Sequence, residues 1–146
     1  MSTSASSTDP QAPDFTGWLR IGTVATVVAV IAVLIAQLLA IRLWPDIALF
    51  KPLDSYARSA LFVIVPAIGA TALFAWLARR SRQADAQFLR IAGVVLLVSF
   101  IPDYLLPVEY RTFLASTVAA SLHIVAGIII VAVLTSGYRR AAGTGQ

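Results

Sequence analysis

Long apolar runs, each near bilayer length and separated by short polar stretches, constrain this chain more than any motif in it. The first runs from Trp18 to Leu43 and is interrupted only by Arg20 near its start, Gln37 and Arg42. Crossing the hydrocarbon core takes about 20 residues of helix. Further runs cover residues 59–77, 88–106 and 113–134. In lipid every backbone N–H and C=O must find its partner inside the protein, which leaves helices or a closed barrel. Runs this long and this uniformly apolar predict helices. The expected fold is therefore all-α: an integral membrane, antiparallel up-down four-helix transmembrane bundle.

Composition agrees. Apolar residues make up 59% of the chain and charged residues 12%, against about 25% charged in soluble domains. Mean hydropathy is +0.85. A soluble helical bundle would interleave charge along every helix, whereas here it gathers between the runs. The chain has no cysteine, which excludes disulfides, thiolate metal sites, iron–sulfur clusters and thiol relays within it. The net charge of +4 does not predict nucleic-acid binding, because the basic residues sit at helix ends and form no patch interleaved with aromatics.

Residues 1–17 are rich in Ser, Thr, Ala and Pro and are expected to be a disordered cytoplasmic tail. Residues 18–140 form the membrane domain, and 141–146 a second short disordered tail. A cleaved signal peptide is the competing reading of Arg20 and the apolar run after it. That run is too long for one, and Leu38-Leu39-Ala40 makes a poor cleavage site. Between the first two runs, Trp44 to Ser55 holds two prolines, two acids and Lys51 among apolar residues, as suits an interfacial loop. Pro66 predicts a kink in the second helix. The third run is short and meets Pro102 and Pro107, so its end is expected in an interfacial turn. Gly137 is a natural stop for the fourth helix.

Seven cations, Arg20, Arg79, Arg80, Arg82, Arg90, Arg139 and Arg140, fall on one side of this topology, and four, Arg42, Lys51, Arg58 and Arg111, on the other. The positive-inside rule then puts both termini in the cytoplasm and the protein in the plasma (inner) membrane. Lipid does not squeeze helices together as water does, so small residues and a few hydrogen bonds must hold them. Helix one offers Gly22, Ala25, Ala29, Ala32, Ala36 and Ala40, and helix four offers Ser116, Ala120, His123 and Gly127. Such spacing favours left-handed crossings.

His123 is the sole histidine, about 15 Å below the outer end of helix four. An imidazole at that depth is costly unless used or satisfied. It is a candidate proton relay, haem ligand or contact for a quinone-like lipid; its structural alternative is a neutral histidine bonded to Ser, Gln or a backbone carbonyl. One histidine, with Met1 the only methionine, cannot supply both axial ligands of a haem, and no cofactor or metal is expected. Gln37, Ser99, Thr117, Ser121 and His123 are expected to form a polar network between helices. Asp103, past Pro102, reads as an outer-face acid pairing with Arg111, Arg58 or Arg42, with a proton or cation entry point as the alternative. A water-accessible cluster of Asp103, Tyr104, Glu109 and Arg111 is what an enzyme would need here, but no catalytic motif supports one, and no catalytic residue is assigned.

The segment Ser99-Phe100-Ile101-Pro102-Asp103, followed by Ala120-Ser121-Leu122-His123-Ile124-Val125-Ala126 after an arginine-rich turn, resembles an uncharacterised bacterial family of small four-helix integral membrane proteins, known only as a domain of unknown function. That family commonly has a methionine before the histidine, where this chain has Leu122. The resemblance implies fold and membrane location but no activity. The expectation is thus a multi-pass membrane protein, noncatalytic or accessory. The alternative is a small carrier, or a proton-coupled or redox-linked subunit, using His123. Expected partners are the lipid bilayer and either another membrane protein or a second copy of the chain.

Overall fold

The computed structural model describes residues 13–105 and 107–143. Most of the two tails expected to be disordered lies outside that range. Four helices carry the fold: α1 Phe15–Leu43, α2 Tyr56–Arg80, α3 Ala84–Leu105 and α4 Phe113–Gly143. All are long and apolar enough to cross a membrane, and no strand occurs among the described residues.

Each helix is longer than its apolar run, because hydrogen bonding continues where hydropathy has already fallen. Asp14 caps α1 by accepting from the Gly17 N–H at 2.8 Å, so the helix begins at Phe15 and not at Trp18. Ser55 caps α2, and the Thr112 hydroxyl accepts from the Ala115 N–H at 3.0 Å at the start of α4. Gly137 does not stop α4, which continues to Gly143. The glycine is there for space: a Cβ on it would lie 2.8 Å from Ile21 Cγ2. At 31 residues, α4 is about 46 Å long and exceeds a hydrocarbon core of about 30 Å.

The ends of the bundle differ. Where the arginines cluster, Trp18 of α1 meets Phe74 of α2 edge-on at 5.4 Å and stacks on Tyr138 of α4 at 5.8 Å. Phe74 also stacks on Phe88 of α3 at 4.4 Å. One aromatic from each helix thus closes the arginine end, each pair worth about 0.5–1.5 kcal/mol beyond area. Arg139 donates to Asp85 at 2.8 Å beside it. At the opposite, loop end, two 3-10 turns, Pro45–Leu49 and Lys51–Leu53, fold back so that Ile47, Phe50 and Leu53 pack on Ala115 and Ala119 of α4.

Between the ends, small residues let the backbones approach. The buried line on α1 runs Trp18, Gly22, Ala25, Ala29, Val33 and Gln37. It leaves the expected alanine stripe after Ala29, because the last turns of α1 pack against the folded-back segment as well as against helices. The opposite faces carry exposed Val24, Val27, Ile31 and Ile35 on α1, and Val94, Leu97 and Val98 on α3, as lipid-facing surfaces do.

Candidate functional site

The site lies where the last turn of α3 passes the first turns of α4. Pro102 does not end α3, which continues to Leu105, so Asp103 follows Ser99 by one helical turn on the same face. Its side chain is buried, 6% exposed, and its Oδ2 stands 3.1 Å from His123 Nδ1. Side chains on a helix lean toward its N-terminus. Asp103 therefore leans back along α3 toward the membrane middle and His123 leans along α4 toward the loop end, which lets them meet although they sit at different depths.

Two prolines prepare this turn. Pro102 has no N–H to offer the Val98 carbonyl, and Pro107, four residues past Asp103, has none to offer the Asp103 carbonyl. Ser116 of α4 takes the second vacancy, its hydroxyl donating to the Asp103 carbonyl at 2.6 Å. This buried bond fixes the height of α3 against α4. Around it, the Tyr104 hydroxyl donates to Thr117 Oγ1 at 3.3 Å, and the Arg111 guanidinium donates to the Tyr104 carbonyl.

The approach is an ion-pair distance without hydrogen-bond geometry: among the described residues neither Asp103 Oδ2 nor His123 Nδ1 has a hydrogen-bond partner, and both atoms are occluded. The imidazole as a whole is 34% exposed although its Nδ1 is occluded. His123 lines a cavity of about 350 Å³ together with Ser59, Phe62, Val63, Ser99 and Asp103. A second cavity, of about 320 Å³, shares Phe62, Val63, Ser99 and His123 with the first and continues past Pro66, Gly69, Leu73 and Ile130 to Phe88. Together they form a groove between α2 and the α3–α4 pair, polar at His123 and apolar beyond it.

The hydrogen bonds divide the expected polar network. Gln37 is buried, but its Nε2 donates to the Leu53 carbonyl at 3.0 Å, which ties α1 to the folded-back segment and not to His123. Ser99 donates to Leu96 within its own helix while lining the cavity. Thr117 donates to Phe113 and Ser121 to Thr117, and Ser121 is exposed. Of the proposed set, Ser99 and His123 come together at the cavity.

Asp103, expected on the outer face, turns inward to His123 instead of toward the headgroup region. Arg58, one of its expected partners, pairs with Asp54 at 2.6 Å. Tyr104, Glu109 and Arg111 are exposed and do not share the buried position of Asp103. Among the described residues no three His, Asp or Glu side chains gather as a metal site requires. Sequence reasoning missed Ser116 as an anchor and Ser59 as a lining residue. The available signals were Pro107 four residues beyond Asp103, which strips a carbonyl of its donor, and Ser99 one turn before it.

No curated protein and no solved structure matches the chain. A family model does match, over residues 12–140, nearly the whole of the bundle, and by that match the chain belongs to the family of unknown function DUF6069.

Proposed function

We propose that the protein is a noncatalytic, accessory multi-pass protein of the plasma membrane, with both termini cytoplasmic, and that its Asp103–His123 pair is a binding site for a molecule entering from the lipid phase. The observation that carries this is the buried carboxylate facing an imidazole across 3.1 Å at the polar end of an otherwise apolar groove. A carboxylate within a membrane is costly and marks function by default. A site that only held helices together would be served as well by the Ser116 bond. Apolar walls with a few convergent polar groups are the usual make-up of small-molecule sites.

Native mass spectrometry of the purified protein, beside His123→Leu, tests this. The expected result is a bound lipid-phase species in the parent that is lost in the variant, with thermal stability kept. A parent carrying no such species, together with a variant that fails to fold, would refute it.

The pair also favours a second reading, a proton-coupled carrier, since an aspartate and a histidine in contact can pass a proton between them. Against it, the groove beyond His123 is lined by Leu73, Phe88 and Ile130, which offer a proton no path. Reconstituted vesicles with an internal pH dye separate the two: the binding reading predicts no proton flux above that of empty vesicles.

A further inference from the structure

The groove selects a head group as well as an apolar tail, and the selection follows from what each group at its polar end can donate or accept. This inference rests on the Asp103–His123 pair being the working site. Asp103 is 5% exposed and, ionised, only accepts hydrogen bonds. With Nδ1 turned to Asp103, the other ring nitrogen of His123, Nε2, is an acceptor in the neutral ring and a donor in the charged one. Ser59 and Ser99 beside it spend their protons on the Ser55 and Leu96 carbonyls. A visiting head must therefore serve an imidazole whose role changes with its proton, beside a buried acid.

A hydroxyl does so, having one donor and two acceptor lone pairs. A carboxylate head would set a second negative charge beside Asp103 in a medium of low dielectric. An ammonium could pair with Asp103, but it has no lone pair for an imidazolium and must bring its charge out of water to this depth. A plain hydrocarbon would leave the imidazole without a partner.

The tail is set by the walls. From Asp103 to Phe88 the groove follows α3 for about 20 Å, and its far part is apolar except for Ser99 and His123 at its mouth. Phe62, 58% exposed, forms a lip shared by both cavities, so the groove opens sideways to the acyl chains. Gly69 lines it, and a Cβ built there meets nothing within 4 Å. We infer that the groove between α2 and the α3–α4 pair binds a neutral long-chain alcohol, its hydroxyl at His123 and its single chain running past Gly69 toward Phe88.

The test uses the full chain in lipid nanodiscs with isotope-labelled histidine, so that ring-nitrogen NMR reports one residue. Four probes of equal chain length are added in turn: oleyl alcohol, oleate, oleylamine and octadecene. The alcohol is expected to move the His123 ring signals saturably and the other three are not. Gly69→Leu, which fills open space, is expected to weaken alcohol binding by about tenfold or more while leaving the probe-free ring signals unchanged and without lowering the unfolding temperature. A non-saturating response to the alcohol, an equal response to any other probe, or indifference to Gly69→Leu would overturn the inference. If the alcohol fails while His123→Leu still removes a copurifying species, the head-group assignment falls and the paired site stands.

Discussion

At the scale of single residues, the site depends on a carbonyl deprived of its helical donor. Asp103 holds its place because Ser116 supplies the proton that Pro107 cannot. Ser116→Ala is expected to destabilise the protein by about 1–2 kcal/mol, since a buried acceptor is left unmade, and to move the His123 ring signals as α3 shifts against α4. Thermal unfolding in detergent and ring-nitrogen NMR check the two effects. His123 was legible as a candidate from its depth in a single apolar run. Its partner was not. A proline before Asp103 suggests a chain leaving the membrane, and only a helix that continues past Pro102 turns that carboxylate inward. The register that brings Asp103 to His123 is held by the Ser116 bond, which has no periodic signature.

At the scale of helices, the glycines separate into those that permit contact and those that leave space. A Cβ on Gly22 would lie 2.6 Å from Thr71 Cγ2, and Thr71 cannot rotate away cheaply because its hydroxyl donates to the Ala67 carbonyl at 2.8 Å. Gly22→Ala is therefore expected to lower stability by about 1–3 kcal/mol through overpacking. Gly69→Ala, with nothing in its way, is expected to be neutral or to raise it by up to about 1 kcal/mol through helix propensity. Steric trapping or thermal unfolding of the two variants side by side gives the sign of each. All four helices were legible in hydropathy, and Gly22 in a stripe of small residues. The ends of the helices were less so. Caps such as Asp14 and the passage of α4 through Gly137 depend on hydrogen bonds and on Ile21, which the periodicity of a single helix does not encode. The turn of the buried line from alanines to Val33 and Gln37 likewise requires the folded-back 45–53 segment, a tertiary feature.

At the scale of the whole molecule, four apolar helices are closed at one end by an aromatic cluster and the Arg139–Asp85 pair, and at the other by a proline-bearing segment, with the groove between. The excess of arginine at the first end is the ground, through the positive-inside rule, for the proposal that this end is cytoplasmic. Because the chain contains no cysteine, single introduced ones report this without background. Glu109→Cys is expected to react with a membrane-impermeant maleimide on intact cells, and Ser81→Cys only after permeabilisation; the reverse pattern would invert the topology. Every reading of function depends on the juxtaposition of Asp103 and His123, and the sole histidine makes it directly observable. Ring-nitrogen NMR of the protein in nanodiscs, compared between the parent, Asp103→Asn and the loop variant Asp46→Asn, is the most direct measurement. The account predicts that Asp103→Asn shifts the His123 signals and Asp46→Asn does not; ring signals unmoved by loss of the Asp103 carboxylate would contradict it.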